Sequence, residues 1–531
     1  MKKPRVLIIG GGFGGYFCAK HLRKICRGTV ELEIISEINY FVFQPLLPEV
    51  AAGTLNPQDA VTPLRTLLKG VKVRLASVQS IDTEAKQVVL IQGQKRILQR
   101  LDYDHLVIAT GQVTNLSMFP GFEDHSLTMK NLSDAFRLRN HIIECLEVAD
   151  VTKFKELKQR YLTFVVAGGG FSGVETIGEM LEMIERILPQ YPNISLDEIR
   201  AVLVQRGKTI LPEMSAELGD YARKKLEQRG VEVLTETAIQ SATRYAVCIC
   251  DRNSEQQQSI PARTIVTTIG NGPSEFVKNL PIELERGKIA VDANMRVKGL
   301  NNIWAVGDSA LTPVTCKKTG EQSFAPPTAQ FAAQAAKQLA KNIHNSLNGK
   351  PLTLFCYQSK GMLASLGGYR GVAELYGMRF TGLFAWIIWR GLYIGILPGF
   401  TTRLRVALNW FFDYFMPRTI VYMGERPTTA THFAYFSKGD CIHHANEIPQ
   451  AFYVVVEGEL KQLLEKDGQL IERTLKPGDS WGSRALKESR LTTGEVIAAE
   501  KSKLLIMKSE DFTRLRGVYN PLDQQLESQD R

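Results

Sequence analysis

Residues 5–15 of the chain read RVLIIGGGFGG, and this stretch decides the fold. Its apolar part is typical of a buried parallel strand, and a glycine-rich turn follows at once. In the spacing G-x-G-x-x-G, the glycines allow a tight turn and let the backbone approach a pyrophosphate at the N terminus of the next helix. The order of strand, turn and helix therefore predicts a dinucleotide site. The residues predicted to line it are Gly10, Gly12, Phe13, Gly14 and Gly15.

A second strand is predicted at residues 30–35, VELEII, and it ends 20 positions after Gly15. An acid is expected at that point to bind a ribose hydroxyl. The sequence has Ser36 and then Glu37, so the acid is displaced by one position. Both residues are assigned to the first dinucleotide site.

The same pattern recurs at residues 164–175, FVVAGGGFSGVE, 158 positions after the first. One glycine fingerprint is a weak signal, but two of them, each between a strand and a helix, predict two separate dinucleotide sites. Two glycine-rich turns without ligands are the alternative. The residues predicted for the second site are Gly168, Gly170, Phe171, Ser172, Gly173 and Glu175.

The strand after the second motif, residues 201–206, ends in Gln205 and Arg206 and carries no acid. An acid there would bind the ribose of NADH and repel the 2′-phosphate of NADPH. Gln205 removes that repulsion, and Arg206 supplies a charge that neutralises the phosphate. The hypothesis is that NADPH is tolerated or preferred, and the alternative is a solvated Arg206 with NADH still used.

Two further apolar segments close the first site: residues 101–111, LDYDHLVIATG, and residues 302–310, NIWAVGDSA. Together with two glycine fingerprints they resemble segments of the two-dinucleotide flavoproteins. In those proteins the first segment returns to the FAD domain and the second brings an aspartate near the ribityl–phosphate chain. The residues implied here are Ala109, Thr110, Gly111, Gly307 and Asp308.

Over residues 1–420 the sequence resembles the type II NADH dehydrogenases, which are single-subunit NADH:quinone oxidoreductases. The resemblance rests on NYFVFQPLLPEVA at 39–51, GFSGVET at 170–176, AVGDSA at 305–310 and PTAQFAAQ at 327–334. It implies FAD at the first site, NAD(P)H as substrate at the second, and a membrane quinone as acceptor. The implied FAD contacts also include Val78 and Ala329, and the implied NAD(P)H contacts also include Gly270.

The resemblance implies catalytic roles for Glu175, Gln330 and Lys360. It places Glu175 near the nicotinamide, and the dipole of its helix is expected to favour the ionised carboxylate. Gln330 and Gln334 share one helix face at i and i+4, where a neutral amide bonds a quinone carbonyl without burying a charge. Lys360 matches a lysine close to the flavin. The alternatives are a polar helix surface for the glutamines and a surface lysine for Lys360.

A sulfide:quinone oxidoreductase shares this fold and is the alternative enzyme. Its chemistry needs cysteines placed at the flavin, whereas Cys145, Cys316 and Cys356 do not stand in that spacing. A disulfide reductase is excluded because no C-x-x-C or C-x4-C lies beside the flavin strand, and no metal site is predicted. A FAD-based redox sensor, with the C-terminal region as its output, also stays open.

The chain of 531 residues carries a formal charge of +10, and its densest excess, +6, lies in residues 346–420. Within residues 380–417, three tryptophans and flanking arginines predict amphipathic helices in the interface of an anionic membrane. Arg390 makes a transmembrane helix costly, by about 2.5–3.5 kcal/mol. A buried interdomain or dimer surface is the alternative. No nucleic-acid signature accompanies the charge, and no signal peptide opens the chain, so a peripheral protein on the cytoplasmic side of a membrane is expected.

Residues 421–531 carry a net charge of −2 and short alternating strands separated by turns. This pattern predicts a small antiparallel β-barrel or jelly roll, and it is similar to the cyclic-nucleotide-binding domain. Ser483 stands where that family has an acid for the ribose, and Arg490 is the candidate phosphate arginine. A structural role, such as packing or dimerisation, is the alternative to cyclic-nucleotide binding.

The predicted architecture is α/β, with two Rossmann-type domains of the two-dinucleotide flavoprotein fold. Residues 1–115 and 280–345 are assigned to the FAD-binding domain and residues 116–279 to the NAD(P)H-binding domain. Residues 346–420 form the membrane-docking segment, and residues 421–531 the cyclic-nucleotide-binding-like domain. The expected function is electron transfer from NADH or NADPH to a membrane quinone without proton pumping.

Overall fold

The computed structural model describes residues 3–93, 97–315, 322–357, 359–423, 431–443, 451–466, 469–482, 494–508 and 511–512. Cys316, Ser483 and Arg490 lie outside the described residues. The α-helices of the described residues are α1 Phe13–Cys26, α2 Leu47–Ala51, α3 Leu64–Leu67, α4 Phe122–His125, α5 Leu132–Val151, α6 Lys155–Tyr161, α7 Phe171–Ile187, α8 Ala216–Glu227, α9 Glu275–Lys278, α10 Ala329–Leu347, α11 Gly382–Ile396 and α12 Phe400–Phe415.

The first glycine motif follows the central strand of a five-stranded parallel sheet. The strand order is Ile303–Ala305, His105–Ile108, Arg5–Ile9, Glu31–Ser36 and Lys72–Leu75. Side chains of the central strand are fully buried from Val6 to Ile8, as expected for a parallel strand covered on both faces. The edge strand at 303–305 comes from a distant part of the chain, so the predicted GD segment lies at the carboxyl end of this sheet.

The second glycine motif follows the central strand of another five-stranded parallel sheet. Its order is Leu127–Thr128, Thr264–Thr267, Thr163–Ala167, Arg200–Val204 and Val231–Leu234. An antiparallel ribbon, Val113–Thr114 with Asn271–Gly272, joins the chain segments that run between the two sheets. Both glycine motifs thus lie at the carboxyl ends of parallel strands, where α/β proteins bind ligands.

Smaller sheets lie between residues 40 and 381. They are Ser77–Asp82, Gln87–Gln92 and Ile97–Asp102; Tyr40–Val42 and Val61–Pro63; Thr237–Ala242, Ala246–Asp251 and Gln257–Pro261; Leu284–Glu285, Lys288–Ala290 and Ala310–Leu311; Pro313–Thr315 and Gln322–Phe324; and Gly361–Ser365, Gly371–Leu375 and Met378–Thr381.

Residues 380–417 form α11 and α12, and part of their aromatic surface faces the protein. The exposed fractions of Trp389 and Trp410 are 1% and 7%. The Arg390 guanidinium lies 4.1 Å from the Trp386 ring centroid and 4.6 Å from that of Trp410. It also forms an ion pair of 3.4 Å with Glu49. The interpretation of Trp389 and Trp410 as membrane-interface residues is wrong, because both side chains are buried against the rest of the protein.

The flanking arginines are also held by the protein. Arg379 pairs with Glu217, and Arg405 lies 3.8 Å from Asp59. Arg418 is buried; its guanidinium donates to a side-chain oxygen of the Asp413 carboxylate at 3.1 Å and to the Ala52 carbonyl oxygen at 3.1 Å. The interpretation as a membrane-flanking arginine is therefore wrong for the buried Arg418, whereas Arg379 and Arg405 form exposed ion pairs.

The outer faces of the same two helices are apolar and exposed. The exposed side chains, each more than one-third exposed, are Leu383, Phe384, Ile387, Leu392, Ile396, Phe400, Leu404, Leu408, Phe411, Phe412, Tyr414 and Phe415. We call this set the apolar face. Among the described residues, no helix combines the length and apolarity needed to cross a bilayer.

The described part of the tail forms two four-stranded antiparallel sheets. One has the order Thr431–Phe436, Ser502–Lys508, Ala451–Glu457 and Ser480–Trp481, and the other Cys441–His443, Gly494–Ala498, Leu460–Lys466 and Gln469–Leu475. Both contribute to one core that includes Phe436, Leu460 and Trp481. Within the described strands the two sheets do not join into a closed barrel.

The tail packs on the second dinucleotide domain. The Tyr435 N–H donates to His125 Nε2 at 2.9 Å, and the Arg244 N–H donates to the Tyr435 carbonyl at 3.1 Å. Tyr245 contacts the tail core through a T-shaped ring contact with Phe436. The tail is therefore attached to the dehydrogenase by defined contacts as well as by the chain.

Candidate functional site

The first glycine loop forms a cradle in which two glycines are sterically required. A Cβ on Gly10 would lie 2.3 Å from the Ala109 carbonyl oxygen, and one on Gly15 would lie 1.9 Å from the Gly10 carbonyl oxygen. Gly12 precedes α1, makes no side-chain cap, and has open space where a Cβ would stand. The first N–H groups of α1 thus face open space, the arrangement that binds a pyrophosphate. Phe13 and Gly14 begin the helix at this cradle.

The two closing segments meet at the same place. Gly111 has a φ of +69°, and the Thr110 hydroxyl is buried with no protein partner among the described residues. Gly307 and Asp308 form a short 3-10 turn at the end of the edge strand, and Ala329 begins the nearby helix α10. A buried hydroxyl without a protein partner beside an uncapped helix fits a bound dinucleotide such as FAD.

The strand end predicted to bind the ribose is also at this cradle. A Cβ on Gly11 would lie 2.8 Å from the Ser36 hydroxyl. The displaced acid, Glu37, is exposed and accepts a hydrogen bond of 2.7 Å from Ser77. Val78 follows in the next strand. The structure therefore places Ser36 against the first glycine loop and joins Glu37 to the strand that carries Val78.

The second glycine loop repeats this geometry. A Cβ on Gly173 would lie 1.7 Å from the Gly168 carbonyl oxygen, and one on Gly168 would lie 2.5 Å from the Thr268 hydroxyl. Gly170 precedes α7 without a side-chain cap and has open space beside it. Phe171 and Ser172 form the first turn of α7. The second loop is therefore a second anion-binding helix terminus.

Gln205 has a structural contact that the sequence did not reveal. Its Oε1 accepts from the Gly169 N–H at 3.0 Å, and its Nε2 donates to the Thr209 carbonyl at 3.1 Å. The amide thus holds the glycine loop in shape. Arg206 is exposed, and its carbonyl accepts from Arg252 at 3.4 Å, so two guanidinium side chains lie at this strand end.

Lys130 lies between the two dinucleotide domains and was missed by the sequence analysis. Its Nζ donates to the Asn271 side chain at 3.0 Å, on the antiparallel ribbon. Burial lowers the pKa of Lys130, and the carboxylate of Asp308 opposes that shift. Gly270, at a φ of +80°, lies at the same ribbon, and a Cβ there would lie 2.6 Å from a backbone oxygen. A single lysine belongs to no sequence motif, so nothing in the sequence indicated that Lys130 lies between the two domains.

Gln330 organises the segment that leads away from the first cradle. Its Oε1 accepts from the Lys360 backbone N–H at 2.9 Å and from the Tyr357 hydroxyl at 3.3 Å. Its Nε2 donates to the Gly361 carbonyl at 3.3 Å. Gln334 lies one turn later on α10 and donates to Gln330 at 3.5 Å. The predicted shared face is confirmed, whereas Lys360 contacts Gln330 through its backbone and is exposed.

The strand Gly361–Ser365 connects Gln330 with a buried cluster of carboxyl groups. Glu175 Oε1 accepts from the Ser365 N–H at 3.1 Å and from Trp389 Nε1 at 3.2 Å. Glu179 accepts from the Ser365 hydroxyl at 2.7 Å. Five residues of strand place the Gln330 contact and the Glu175 contact about 13 Å apart.

Burial controls the protonation of this carboxylate cluster. It raises the pKa of Glu175 to about 8, opposed by the hydrogen bonds from Ser365 and Trp389. The prediction that the helix dipole keeps Glu175 ionised is wrong, because desolvation is the larger effect. Glu49, whose Oε2 accepts from Trp410 Nε1 at 2.7 Å, also has a pKa raised by burial, to about 7. Glu49 belongs to the stretch at 39–51 that carries the family resemblance, and nothing in the sequence indicates its burial.

Cys145 lies away from the first cradle. Cys145 is fully buried on α5, and its Sγ lies 3.6 Å from the hydroxyl of Thr264, at the amino end of its strand. The glycine loops lie at the carboxyl ends of the strands. Burial raises the pKa of the Cys145 thiol to about 12, so this thiol is not a nucleophile at neutral pH.

Two uncapped glycine cradles on two parallel sheets define a two-dinucleotide oxidoreductase. Residues 4–336 match the family model of the pyridine nucleotide-disulphide oxidoreductases, residues 359–419 match the NDH2 C-terminal domain, and residues 433–518 match the cyclic nucleotide-binding domain. The chain is 31% identical over 418 residues to the type II NADH:quinone oxidoreductase NdhA of Mycobacterium tuberculosis, covering 77% of this chain and 86% of that protein. It is 31% identical over 384 residues to the type II NADH:quinone oxidoreductase of Staphylococcus haemolyticus, covering 72% and 92%. The chain belongs to the type II NADH:quinone oxidoreductases.

Solved structures show the same fold. NDH2 from Plasmodium falciparum in complex with NADH aligns with a TM-score of 0.72 at 21% identity, over 79% of this chain and 100% of that one. The sulfide:quinone oxidoreductase from Aquifex aeolicus aligns with a TM-score of 0.59 at 19% identity, over 77% and 91%. These structures confirm the predicted two-dinucleotide fold, and the relatives named above confirm the family resemblance seen in the sequence.

Proposed function

We propose that this protein transfers electrons from NADH to a membrane quinone, with FAD bound at the first cradle. The observation that carries the proposal is the pair of open cradles, at Gly12 and Gly170, in a chain of this family. FAD, when bound, supplies the redox chemistry by accepting a hydride from the nicotinamide and passing two electrons to the quinone. The chain's own residues bind and orient FAD and its substrates, and they hold and transfer protons.

The two cradles position the reactants. The α1 terminus takes the pyrophosphate of FAD, and Asp308 accepts hydrogen bonds from the hydroxyls next to it. The α7 terminus takes the pyrophosphate of NADH in the same way. Lys130 connects the ribbon between the domains with Asp308 of the first site. Its ammonium bonds Asn271 and lies close enough to Asp308 for their charges to interact. Ser36, Glu37, Val78 and Gly270 border the two sites.

Proton supply is assigned to the buried carboxyl groups. The overall reaction, NADH plus a proton plus quinone giving NAD⁺ plus quinol, takes one proton from solution. With its pKa raised to about 8, Glu175 holds a proton at neutral pH, and Glu49 titrates close to pH 7. The strand Gly361–Ser365 fixes this store about 13 Å from Gln330, a distance that water molecules would have to bridge for a proton to reach the quinone. We assign proton delivery toward the quinone to Glu175.

The acceptor site is assigned to the amide groups of α10. Gln330 holds the backbone at residue 360 through its carbonyl, which fixes the start of the strand Gly361–Ser365. Gln334, on the same face, borders the quinone. Lys360 has an exposed side chain next to this contact, and its charge would favour the anionic reduced flavin.

Use of NADPH is a separate proposal that rests on Arg206. Its exposed guanidinium, with Arg252 beside it, stands where a 2′-phosphate would lie, and the position of the usual acid is taken by Gln205. Arg206→Gln should lower kcat/KM for NADPH and leave that for NADH unchanged, with Arg100→Gln as the matched exposed control. Equal effects on both nucleotides would contradict the proposal.

Membrane docking is assigned to residues 380–417 because the apolar face covers the outer sides of both helices. The cytoplasmic side of the membrane is part of the same proposal. The division into FAD, NAD(P)H, docking and tail regions at residues 1–115 with 280–345, 116–279, 346–420 and 421–531 is kept as part of the proposal. The tail is assigned a jelly-roll architecture of the cyclic-nucleotide-binding type; cyclic-nucleotide binding itself and dimerisation remain alternatives for its role.

The test of the proposed function is turnover by the purified full-length protein. Its flavin is identified after release by heat, and NADH oxidation is followed with ubiquinone-1 and with menadione. Fast oxidation that depends on the quinone supports the enzyme. Oxidation that is slow with every quinone, together with a nucleotide-dependent change in the tail, would favour the redox sensor instead.

A further inference from the structure

A group of basic side chains on α1, α10 and α12 lies on the surface next to the apolar face. Its members are Lys20, Arg23 and Lys24 on α1, Lys337 and Lys341 on α10, and Arg403 on α12. We call this group the cationic rim. Lys20, Lys24, Lys337 and Lys341 are exposed, and the other two are half-buried.

The cationic rim is concentrated enough for its charges to repel each other. Burial and then repulsion from Arg403, Arg23 and Lys24 lower the pKa of Lys20. Between the two helices, burial and then the lysines of α1 and α10 lower the pKa of His21. Cys26 Sγ of α1 lies 3.6 Å from His344 Nδ1 of α10, so the two helices that carry five of the six cations are direct neighbours.

None of the six cations makes an ion pair with a carboxylate of the described residues. Arg23 donates instead to the Lys69 carbonyl, and Arg403 Nε donates to the Leu397 carbonyl at 2.7 Å. Other arginines within and beside α11 and α12 behave differently: Arg379, Arg390, Arg405 and Arg418 each face an acidic partner. The cationic rim therefore carries positive charge next to α11 and α12 that has no carboxylate partner among the described residues, and this charge can bind an external anion.

The cationic rim borders the apolar face. Arg403 lies in the first turn of α12, between Phe400 and Leu404, whose exposed fractions are 79% and 50%. The bond from Arg403 to Leu397 fixes it to the turn between α11 and α12. That turn is anchored to the dehydrogenase, because Thr62 donates to the Pro398 carbonyl at 3.2 Å. Cations and apolar side chains are thus held in a fixed relation.

We propose that the cationic rim binds the phosphate groups of anionic phospholipids in the bilayer that receives the apolar face. The inference rests on the proposed membrane docking and adds the lipid class that this docking selects. An apolar surface bordered by unpaired cations matches a bilayer, in which acyl chains are bordered by a layer of phosphates. Long lysine side chains reach such a layer while their stems stay on the protein.

The test measures partitioning of the full-length holoenzyme onto sedimented vesicles, at low and at high salt. One vesicle type is phosphatidylcholine alone, and the other contains phosphatidylcholine with phosphatidylglycerol. The variant combines Lys20→Gln, Arg23→Gln and Lys24→Gln. The control removes the same charge from exposed lysines elsewhere, by Lys86→Gln, Lys153→Gln and Lys155→Gln.

At about fivefold per cation near a charged surface, the rim variant should bind anionic vesicles about 100-fold more weakly than the parent. Its binding to neutral vesicles and its NADH oxidation with ubiquinone-1 should match the parent. High salt should reduce the difference, because exposed charges are screened.

Three results would overturn the inference. Equal binding of the parent to both vesicle types means that docking occurs without lipid selection. An equal loss in the control variant means that only net charge matters. Binding of the parent to neither vesicle type removes the proposed docking itself, together with the rim's role, whereas turnover with ubiquinone-1 still reports on the proposed enzyme.

Discussion

Glu175→Gln should make the stability of the protein less dependent on pH. In the folded protein burial raises the pKa of Glu175 from about 4.5 to about 8. A raised pKa means that the stability of the neutral form is fully present below pH 4.5 and is lost as the pH rises toward 8. Glutamine has the shape of the neutral acid, and its oxygen accepts the same hydrogen bonds from Ser365 and Trp389.

The magnitude follows from the size of the pKa shift. Between the two pKa values each pH unit costs about 1.4 kcal/mol, so the ionisable residue costs about 1 kcal/mol at pH 5 and about 4 kcal/mol at pH 8. The variant gains the difference, about 3 to 4 kcal/mol, over this range. With about 2.1 cal/mol/K per residue over residues 4–419, the unfolding entropy is about 0.9 kcal/mol/K. The melting temperature of the variant minus that of the parent should therefore rise by about 4 °C from pH 5 to pH 8.

The assay is thermal unfolding of parent and variant holoenzyme in matched buffers from pH 5 to pH 8, followed by circular dichroism. Glu227→Gln is the control, because this carboxylate is exposed on α8 and pairs with Arg223. Its melting difference should stay constant across the range. A constant difference for Glu175→Gln as well would refute the reasoning, since Glu175 would then titrate as an ordinary carboxylate despite its burial.

Three further changes test the cradles and the contacts around them. Gly173→Ala puts a Cβ 1.7 Å from a backbone oxygen of the second loop and should weaken NADH binding about 10- to 100-fold, with flavin content unchanged, as measured by titration. Trp410→Phe removes the indole N–H that Glu49 accepts and should destabilise the protein by about 1–3 kcal/mol, seen as a lower melting temperature; an unchanged value would mean that this bond is replaced by water. His125→Phe removes the acceptor for the Tyr435 N–H and should speed proteolytic separation of the tail, whereas a rate equal to that of the parent would show that the contact does not hold the tail.

The fold was predictable because its signals are local. The two glycine motifs follow apolar strands directly, and the steric need for glycine at positions such as Gly10 and Gly173 arises from neighbours inside the same unit of strand, turn and helix. The edge strand at 303–305 was predictable for a different reason, since its AVGDSA signature is specific when two glycine motifs accompany it. The helical nature of residues 380–417 followed from their composition.

The charge states and the orientations of side chains were not predictable. Glu175 was expected to be ionised, because only the helix dipole could be seen in the sequence. Its desolvation arises from the packing of α7 against the strand Gly361–Ser365 and α11, which lie almost 200 residues away. The same packing turns Trp389 inward, although tryptophans on an amphipathic helix are equally suited to a membrane interface.

The sequence by itself determined the two-dinucleotide fold, the positions of its two glycine motifs and the family to which the chain belongs, because these properties depend on short segments whose residues are neighbours. Only the tertiary structure decided which cations are paired and which face outward. Arg390 meets the buried carboxylate of Glu49, and the buried Arg418 meets Asp413, whereas Lys20 and Arg403 meet no carboxylate among the described residues. An electrostatic interaction depends on distance and burial, and both are set by contacts between segments far apart in the chain.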